Sequence, residues 1–355
     1  MAEAMTAEMK QLLDGAIAKE ASDLHITVGV PPTLRLDGKL LPLTDLGPVT
    51  PEVSERLLMS IMTDDQVERL HQRRELDFSF GYQKMRFRVN AFYQKGNLSA
   101  ALRLIPVKIK TMEELDVPPI LERFTEPSQG FVIITGPTGH GKSTTLASLI
   151  ESINESRSEH IITIEDPIEY IFEHKKSIIV QREVGSDTNS FARALRSALR
   201  EDPNVILVGE MRDLETIEAA LTLAETGHLV FTTLHTNSAA QTADRIIDVF
   251  PPHQQQQVRM QLANVLLGVV SQRLMPRVQG GRILATEIMI ANSAVRNTIR
   301  EGKTHQLPNI IQTSASEGMI ALDKVLAELV SRGEISIDTA LSWALDPKAF
   351  KMMVY

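Results

Sequence analysis

Phe131-Val132-Ile133-Ile134-Thr135-Gly136-Pro137-Thr138-Gly139-His140-Gly141-Lys142-Ser143-Thr144-Thr145-Leu146-Ala147 decides the architecture of this chain. The apolar run predicts a buried strand, the residues from Gly136 to Ser143 match G-x-x-x-x-G-K-[ST], and a helix opens directly behind them. Glycines let the backbone fold round so that consecutive N–H groups point inward, and the helix N-terminus adds its positive end. That arrangement suits phosphate oxygens. Gly136, Pro137, Thr138, Gly139, Gly141 and Thr144 are expected to cradle ATP, Lys142 to reach its β- and γ-phosphates, and Ser143 to help hold Mg²⁺. His140 occupies a variable position of the motif and either touches phosphate or faces solvent.

From this point to the C-terminus, short apolar runs alternate with helical patterns. Ile161–Ile164, Val205–Val208 and Leu229–Thr233 read as further buried strands, so an α/β domain with a mostly parallel sheet is expected. The Gln254–Gln257 run reads as the first turn of a helix reaching to about Arg273. Upstream, residues 5–19 carry apolar positions at helical spacing. Thr33–Leu36 and Lys39–Leu43 flank Asp37-Gly38 as a hairpin, 52–73 is helical in pattern, and 76–105 alternates like strands. Pro118, Pro119 and Pro127 mark a break. The expected organisation is a smaller α+β domain over 1–105, a hinge over 106–129, and the ATPase domain over 130–355.

The bulk properties narrow the function. A length of 355 residues fits two domains, and 43% apolar composition supports ordinary cores. The net charge of -8 opposes general attraction to nucleic acid or anionic lipid. Zero cysteines exclude disulfides, thiolate zinc sites and thiol catalysis, and fit a reducing compartment. No leader and no apolar run near the ~18 residues of a membrane span is visible. The expectation is a cytoplasmic protein that meets a membrane only through a partner.

ATP hydrolysis also needs carboxylates at neighbouring strand ends, to hold metal or orient water. Val205–Val208 runs into Gly209-Glu210-Met211-Arg212-Asp213, and Ile161–Ile164 into Glu165-Asp166-Pro167-Ile168-Glu169. Glu210 is the candidate for the metal side and Glu169 for polarising water. The roles could be exchanged, and Glu165 competes with Glu169.

The phosphate loop, Glu165–Glu169, Gly209–Asp213 and Thr226-Gly227-His228-Leu229 occur in this order, and together they resemble the Walker A, Asp box, Walker B and His box of the secretion ATPase superfamily. This superfamily serves type II secretion, type IV pili and type IV secretion. Ser22-Asp23-Leu24-His25-Ile26 resembles its N-terminal signature. Residues 294–301 resemble a segment of its pilus-retraction (twitching motility) branch, and zero cysteines favour that branch over the assembly and secretion branches, which typically carry a four-cysteine insertion. The resemblance implies a PAS-like N-terminal domain, a RecA-like P-loop ATPase domain and a homohexameric ring. It also implies an inner-membrane pilus platform protein as partner. A ring nucleic-acid translocase is the competing class that the acidic composition disfavours.

Arg88 and Arg103 project from one face of neighbouring strands if the hairpin turns about Lys95-Gly96, which places like charges almost opposite each other. A shared anion would explain this, and the resemblance supplies one, since N-terminal-domain arginines of this superfamily reach the γ-phosphate. Solvated surface arginines are the alternative. Arg193, Arg196 and Arg200 share a helix face. Arg193 reads as solvated, while Arg196 and Arg200 match the superfamily's pattern and would face nucleotide or a neighbouring subunit. His228 is either a hydrogen-bonded structural residue or, by its match to the His box, a sensor of phosphate state. His235 is the weaker candidate.

Overall fold

The computed structural model describes residues 5–36, 38–83, 85–105 and 108–354. Asp37 of the expected turn, and Pro106 and Val107 of the expected hinge, lie outside these residues. The chain divides into two compact units, one comprising Met1–Lys108 with Glu169–Ile171, the other Ile109–Ile168 with Phe172–Tyr355.

The first unit contains α1 (Ala7–Ala18), β1 (Asp23–Ile26), β2 (Thr33–Leu36), β3 (Lys39–Pro42), α2 (Pro51–Met59), α3 (Asp64–Arg73), β4 (Glu75–Tyr82), β5 (Met85–Gln94) and β6 (Asn97–Ile105). Its strands form one antiparallel sheet in the order β3-β2-β1-β6-β5-β4. Alternation decides its buried face. Phe87, Val89 and Ala91 on β5 and Ala100 and Leu102 on β6 point into a core shared with Leu12, Leu13 and Leu58 from the helices. The continuous helical pattern over 52–73 is in fact two helices. Thr63 and Gln66 cap each other's backbone, and that reciprocal capping starts a new helix at Asp64.

The second unit contains β7 (Gly130–Thr135), α4 (Lys142–Ser156), β8 (His160–Glu165), β9 (Ile178–Glu183), α5 (Phe191–Ala198), β10 (Val205–Val208), α6 (Leu214–Glu225), β11 (Leu229–Leu234), α7 (Ala239–Asp248), α8 (Pro252–Val265), β12 (Leu266–Pro276) and β13 (Arg282–Ile290). Beyond the sheet follow α9 (Ser293–Arg300), α10 (Leu307–Thr313), α11 (Leu322–Ser331), α12 (Ile337–Trp343) and α13 (Pro347–Val354). The sheet runs β13-β12-β7-β11-β10-β8-β9. All neighbours are parallel except β12 with β13. Every residue of β7, β10 and β11 is buried, the pattern of a sheet covered on both faces.

The helix expected to reach Arg273 stops at Val265, and the chain continues as β12. Leu266-Leu267-Gly268-Val269-Val270 pairs a helix-weakening glycine with two β-branched valines, which favour a strand. Its glycine lies so close to the Phe124 ring that a Cβ there would stand 2.5 Å from ring carbon. The sequence reading also missed β9 and β13.

Parallel strands put their C-terminal ends on one edge of the sheet. Gly136 follows β7, His235 follows β11, Gly209-Glu210 follows β10, and Glu165 is the last residue of β8. The C-terminal helices pack on the edge strands, with Leu322, Leu326 and Phe350 against Met275, Ile283 and Ala285 of β12 and β13.

Candidate nucleotide-binding site

The phosphate loop is shaped by glycine. Gly136, Gly139 and Gly141 have φ of 142°, 80° and 80°, a region that L side chains rarely adopt. At Gly136 a Cβ would also collide with the carbonyl oxygen of Gln272 on β12. Glycine is therefore required there twice over, by torsion and by space.

Lys142 opens α4 and is only 8% exposed. Its ammonium donates to the carbonyls of Gly136 and Pro137, both at 3.0 Å, and lies 3.4 Å from Nδ1 of His235. The other imidazole nitrogen, Nε2, lies 3.4 Å from Oε2 of Glu210. A neutral imidazole has one N–H. Donation from Nε2 to Glu210 leaves Nδ1 free to accept from Lys142, so one ring joins loop lysine to strand-end carboxylate. Arg212 closes the far side, 2.8 Å from Oε1 of Glu210.

Thr135, the last residue of β7, fixes this edge. Its hydroxyl lies 3.1 Å from the carbonyl of Leu234 and 2.9 Å from that of Thr236, and it accepts from the Thr236 N–H at 2.9 Å. His235 lies between those two residues. Glu165 is buried at the end of β8, where its Oε1 accepts from the Thr163 hydroxyl at 2.7 Å and from the Gln181 amide at 3.3 Å. Gly209, directly before Glu210, ties the two strand ends together, its N–H donating to the Ile164 carbonyl at 2.8 Å.

Not all sequence candidates gather here. His228 precedes β11, whereas His235 follows it, so they lie at opposite edges of the sheet. Nδ1 of His228 is 2.8 Å from the Leu223 carbonyl and 3.2 Å from the Thr226 hydroxyl, an anchored turn histidine away from the loop. His235, the weaker candidate in the sequence, is the histidine that the structure brings beside Lys142 and Glu210. Its signal was present, since the residue following the end of a buried parallel strand stands at the ligand edge.

Arg196 lies on α5, with Arg200 just past its end, and this helix leads back to the start of β10 at the edge remote from the loop. Arg196 borders Glu215, Glu218 and Thr222 of α6. Glu169 is exposed and belongs to the segment that groups with the first unit. In that unit Arg88 pairs directly with Arg103 across β5 and β6. Arg103 is held at 2.9 Å by Asp23, which Arg35 also approaches at 3.6 Å.

The His140 side chain is half-buried and turned to β12 and the C-terminal helices. Its Nδ1 accepts the N–H of Leu274 at 3.0 Å, its carbonyl accepts from the Gln272 amide at 2.8 Å, and its ring meets Trp343 edge-on at 5.2 Å. Burial, with the positive charges of Arg273, Lys142 and Arg282, holds its pKa below the usual value. Sequence reading also passed over a buried pair of charges behind the loop. Arg273 is 2% exposed and donates to the carbonyls of Asn237 at 2.6 Å and Gln272 at 2.9 Å. Glu287 on β13 accepts the Ala239 N–H at 2.7 Å, and burial pushes its pKa up to about 7.

Among the described residues, no cluster of three or more His, Asp or Glu side chains could cage a metal ion. A hydroxyl at the first turn of α4 and one strand-end carboxylate instead suit Mg²⁺, which keeps much of its shell as water and phosphate.

The model of the family described as "Type II/IV secretion system protein" matches residues 2–336. A Pseudomonas aeruginosa protein named "Type IV pilus retractation ATPase PilT" is 48% identical over 344 residues, covering 97% of this chain and 100% of that one. A Neisseria gonorrhoeae "Twitching motility protein" is 49% identical over 311 residues, covering 87% of this chain and 83% of that one. The crystal structure of the pilus retraction motor PilT with bound ADP superimposes with a TM-score of 0.90 at 49% identity, covering 96% of this chain and 98% of that one.

Proposed function

This chain belongs to the type II/IV secretion system protein family, and from that premise we propose that it hydrolyses ATP to power type IV pilus retraction and twitching motility. One observation carries the chemical part. A glycine-shaped loop with a buried lysine stands at the same sheet edge as His235, Glu210 and Glu165. The fold is the RecA-like α/β arrangement of its structural relatives.

In this reading Lys142 exchanges its loop carbonyls for phosphate oxygens. The loop N–H groups from Gly136 to Thr144 bind the remaining phosphate charge. Ser143 and Glu210 are the residues that would hold Mg²⁺, which would supply charge neutralisation at the phosphates. Glu169 or Glu165 polarises the attacking water. His235 links the ammonium that senses the γ-phosphate to the carboxylate on β10. Arg88 and Arg103 supply cation charge to the γ-phosphate, and residues 106–129 serve as the hinge. The working form is a homohexamer at the cytoplasmic face of the inner membrane, pulling on a pilus platform protein. Among the described residues no helix is long and apolar enough to cross a membrane, which supports attachment through that partner.

The test has two arms. Purified protein should turn over Mg·ATP, and Lys142→Ala should abolish it. Expression in a retraction-null strain should restore twitching. Restored pilus assembly without twitching would move the chain to the assembly branch, and absence of turnover would overturn the motor reading.

A further inference from the structure

The phosphate loop is gripped from behind by the C-terminal helices, and the grip passes through two side chains outside the nucleotide chemistry. His140 is one. Its Nδ1 accepts from Leu274 at 3.0 Å, so the proton of the neutral ring sits on Nε2. Trp343, the last residue of α12, is the other, with ring centroids 5.2 Å apart at 65°. The guanidinium of Arg273 lies over the same indole, 5.6 Å from its centroid, and Arg273 itself borders Gly136.

Trp343 is held in place by a buried carboxylate. Asp323 on α11 is 7% exposed and accepts the N–H groups of Leu345 at 2.7 Å and Asp346 at 2.9 Å. These bonds fix the turn that follows Trp343, and the fully buried Phe350 anchors the helix beyond it. The phosphate loop, β12 and the α12–α13 turn are thus joined through consecutive contacts. Trp343 lies past residue 336, where the family match ends.

We propose that the His140–Trp343 contact is a clasp by which the C-terminal helices hold the phosphate loop in its nucleotide-binding shape. Trp343 is a positioning residue, acting on nucleotide through His140. Edge-on aromatic contacts stabilise by an amount equivalent to roughly three- to tenfold in an equilibrium constant. A loop preorganised by that factor binds phosphate that much more tightly. The clasp needs a neutral imidazole. The charged groups acting on His140 are Lys142 from α4, Arg273 from β12 and Arg282 at the start of β13, all cations that oppose its protonation.

This inference rests on the nucleotide reading, and the experiment separates the two. Amide hydrogen exchange of the free, full-length protein reports the Leu274 N–H, and calorimetry with Mg·ADP reports affinity. Trp343→Ala should speed exchange at Leu274 and across 138–141 by about tenfold and weaken ADP binding by roughly three- to tenfold. Exchange within α11 should stay unchanged. Trp343→Phe, which keeps an aromatic edge, should restore both readouts to within about twofold of wild type. Asp323→Asn, which weakens the turn, should fall between the two. Unchanged Leu274 exchange and ADP affinity in Trp343→Ala would overturn the clasp. So would Trp343→Phe behaving like Trp343→Ala, or loss of protection throughout α11, which would mark a merely structural tryptophan. A wild-type protein that binds no ADP would refute the nucleotide reading instead, while Leu274 exchange would still judge the clasp.

Discussion

Arg88 on β5 and Arg103 on β6 occupy directly opposed positions in one sheet, and only Arg103 has Asp23 at 2.9 Å to offset its charge. Like charges facing each other across a strand pair cost stability of roughly 0.2–1 kcal/mol. A phosphate between the two guanidinium groups would offset that cost, which is what the proposed arginine role predicts. Arg88→Ala and Arg103→Ala are expected to cut ATP turnover by about 100-fold or more while leaving nucleotide affinity within about threefold of wild type. Asp23→Asn should give a milder form of the Arg103 defect. Steady-state turnover beside calorimetric affinity decides it, and equal loss of both quantities would argue against a transition-state role.

The histidines separate in the same way. His235→Ala removes the ring between Lys142 and Glu210 and is expected to lower turnover by about 10²-fold, the usual scale for a positioned catalytic side chain. His228→Ala loses a hydrogen bond at the remote edge, worth about 1 kcal/mol of stability, and should cost turnover far less. The reverse order would restore His228 as the sensor.

Gly136→Ala places a methyl group against the Gln272 carbonyl in a backbone region with φ of 142°. Destabilisation of more than about 1 kcal/mol is expected, together with loss of ADP binding. Gly139 has open space around it, so Gly139→Ala suffers only from its torsion and should be the milder change. Thermal denaturation with and without ADP compares the two.

Glu287 supplies a pH prediction. Burial raises its folded pKa from 4.5 to about 7, so below pH 4.5 both states are protonated and it contributes nothing. Between these values the unfolded chain ionises while the folded one stays protonated, and stability falls as pH rises. Above pH 7 the penalty levels off, at about 3 kcal/mol at most. Glu287→Gln keeps an acceptor for the Ala239 N–H and should remove this slope, gaining stability at pH 8 but not at pH 4. Chemical denaturation across that range measures it.

How much of this was legible in the sequence varies with how local the signal is. The loop from Gly136 to Ser143 announces itself because its torsions demand glycine and its chemistry demands lysine. Val205–Val208 is recognisable because all four of its positions are apolar, the pattern of a strand covered on both faces. β12 was misread because its determinant is non-local, the ring of Phe124 against Gly268, and a chain read residue by residue cannot display that contact. His140 reads in the sequence as touching phosphate or facing solvent for the same reason, its side-chain partners being Leu274 and Trp343. The choice between His228 and His235 turned on which end of β11 each adjoins, a matter of strand direction and not of residue type.

Thr135 gives that edge a mechanical character. A single hydroxyl there contacts the backbone on both sides of His235, and the Thr236 hydroxyl passes the connection on to Thr242 of α7 at 2.6 Å. The two strands are spliced at the point where ammonium and imidazole meet, so the spacing between those groups is inherited from main chain and survives jostling of their side chains. Replacing this oxygen by a methyl group would leave the residue nearly the same in shape yet let the two halves of the site drift apart, detuning the engine without dismantling it.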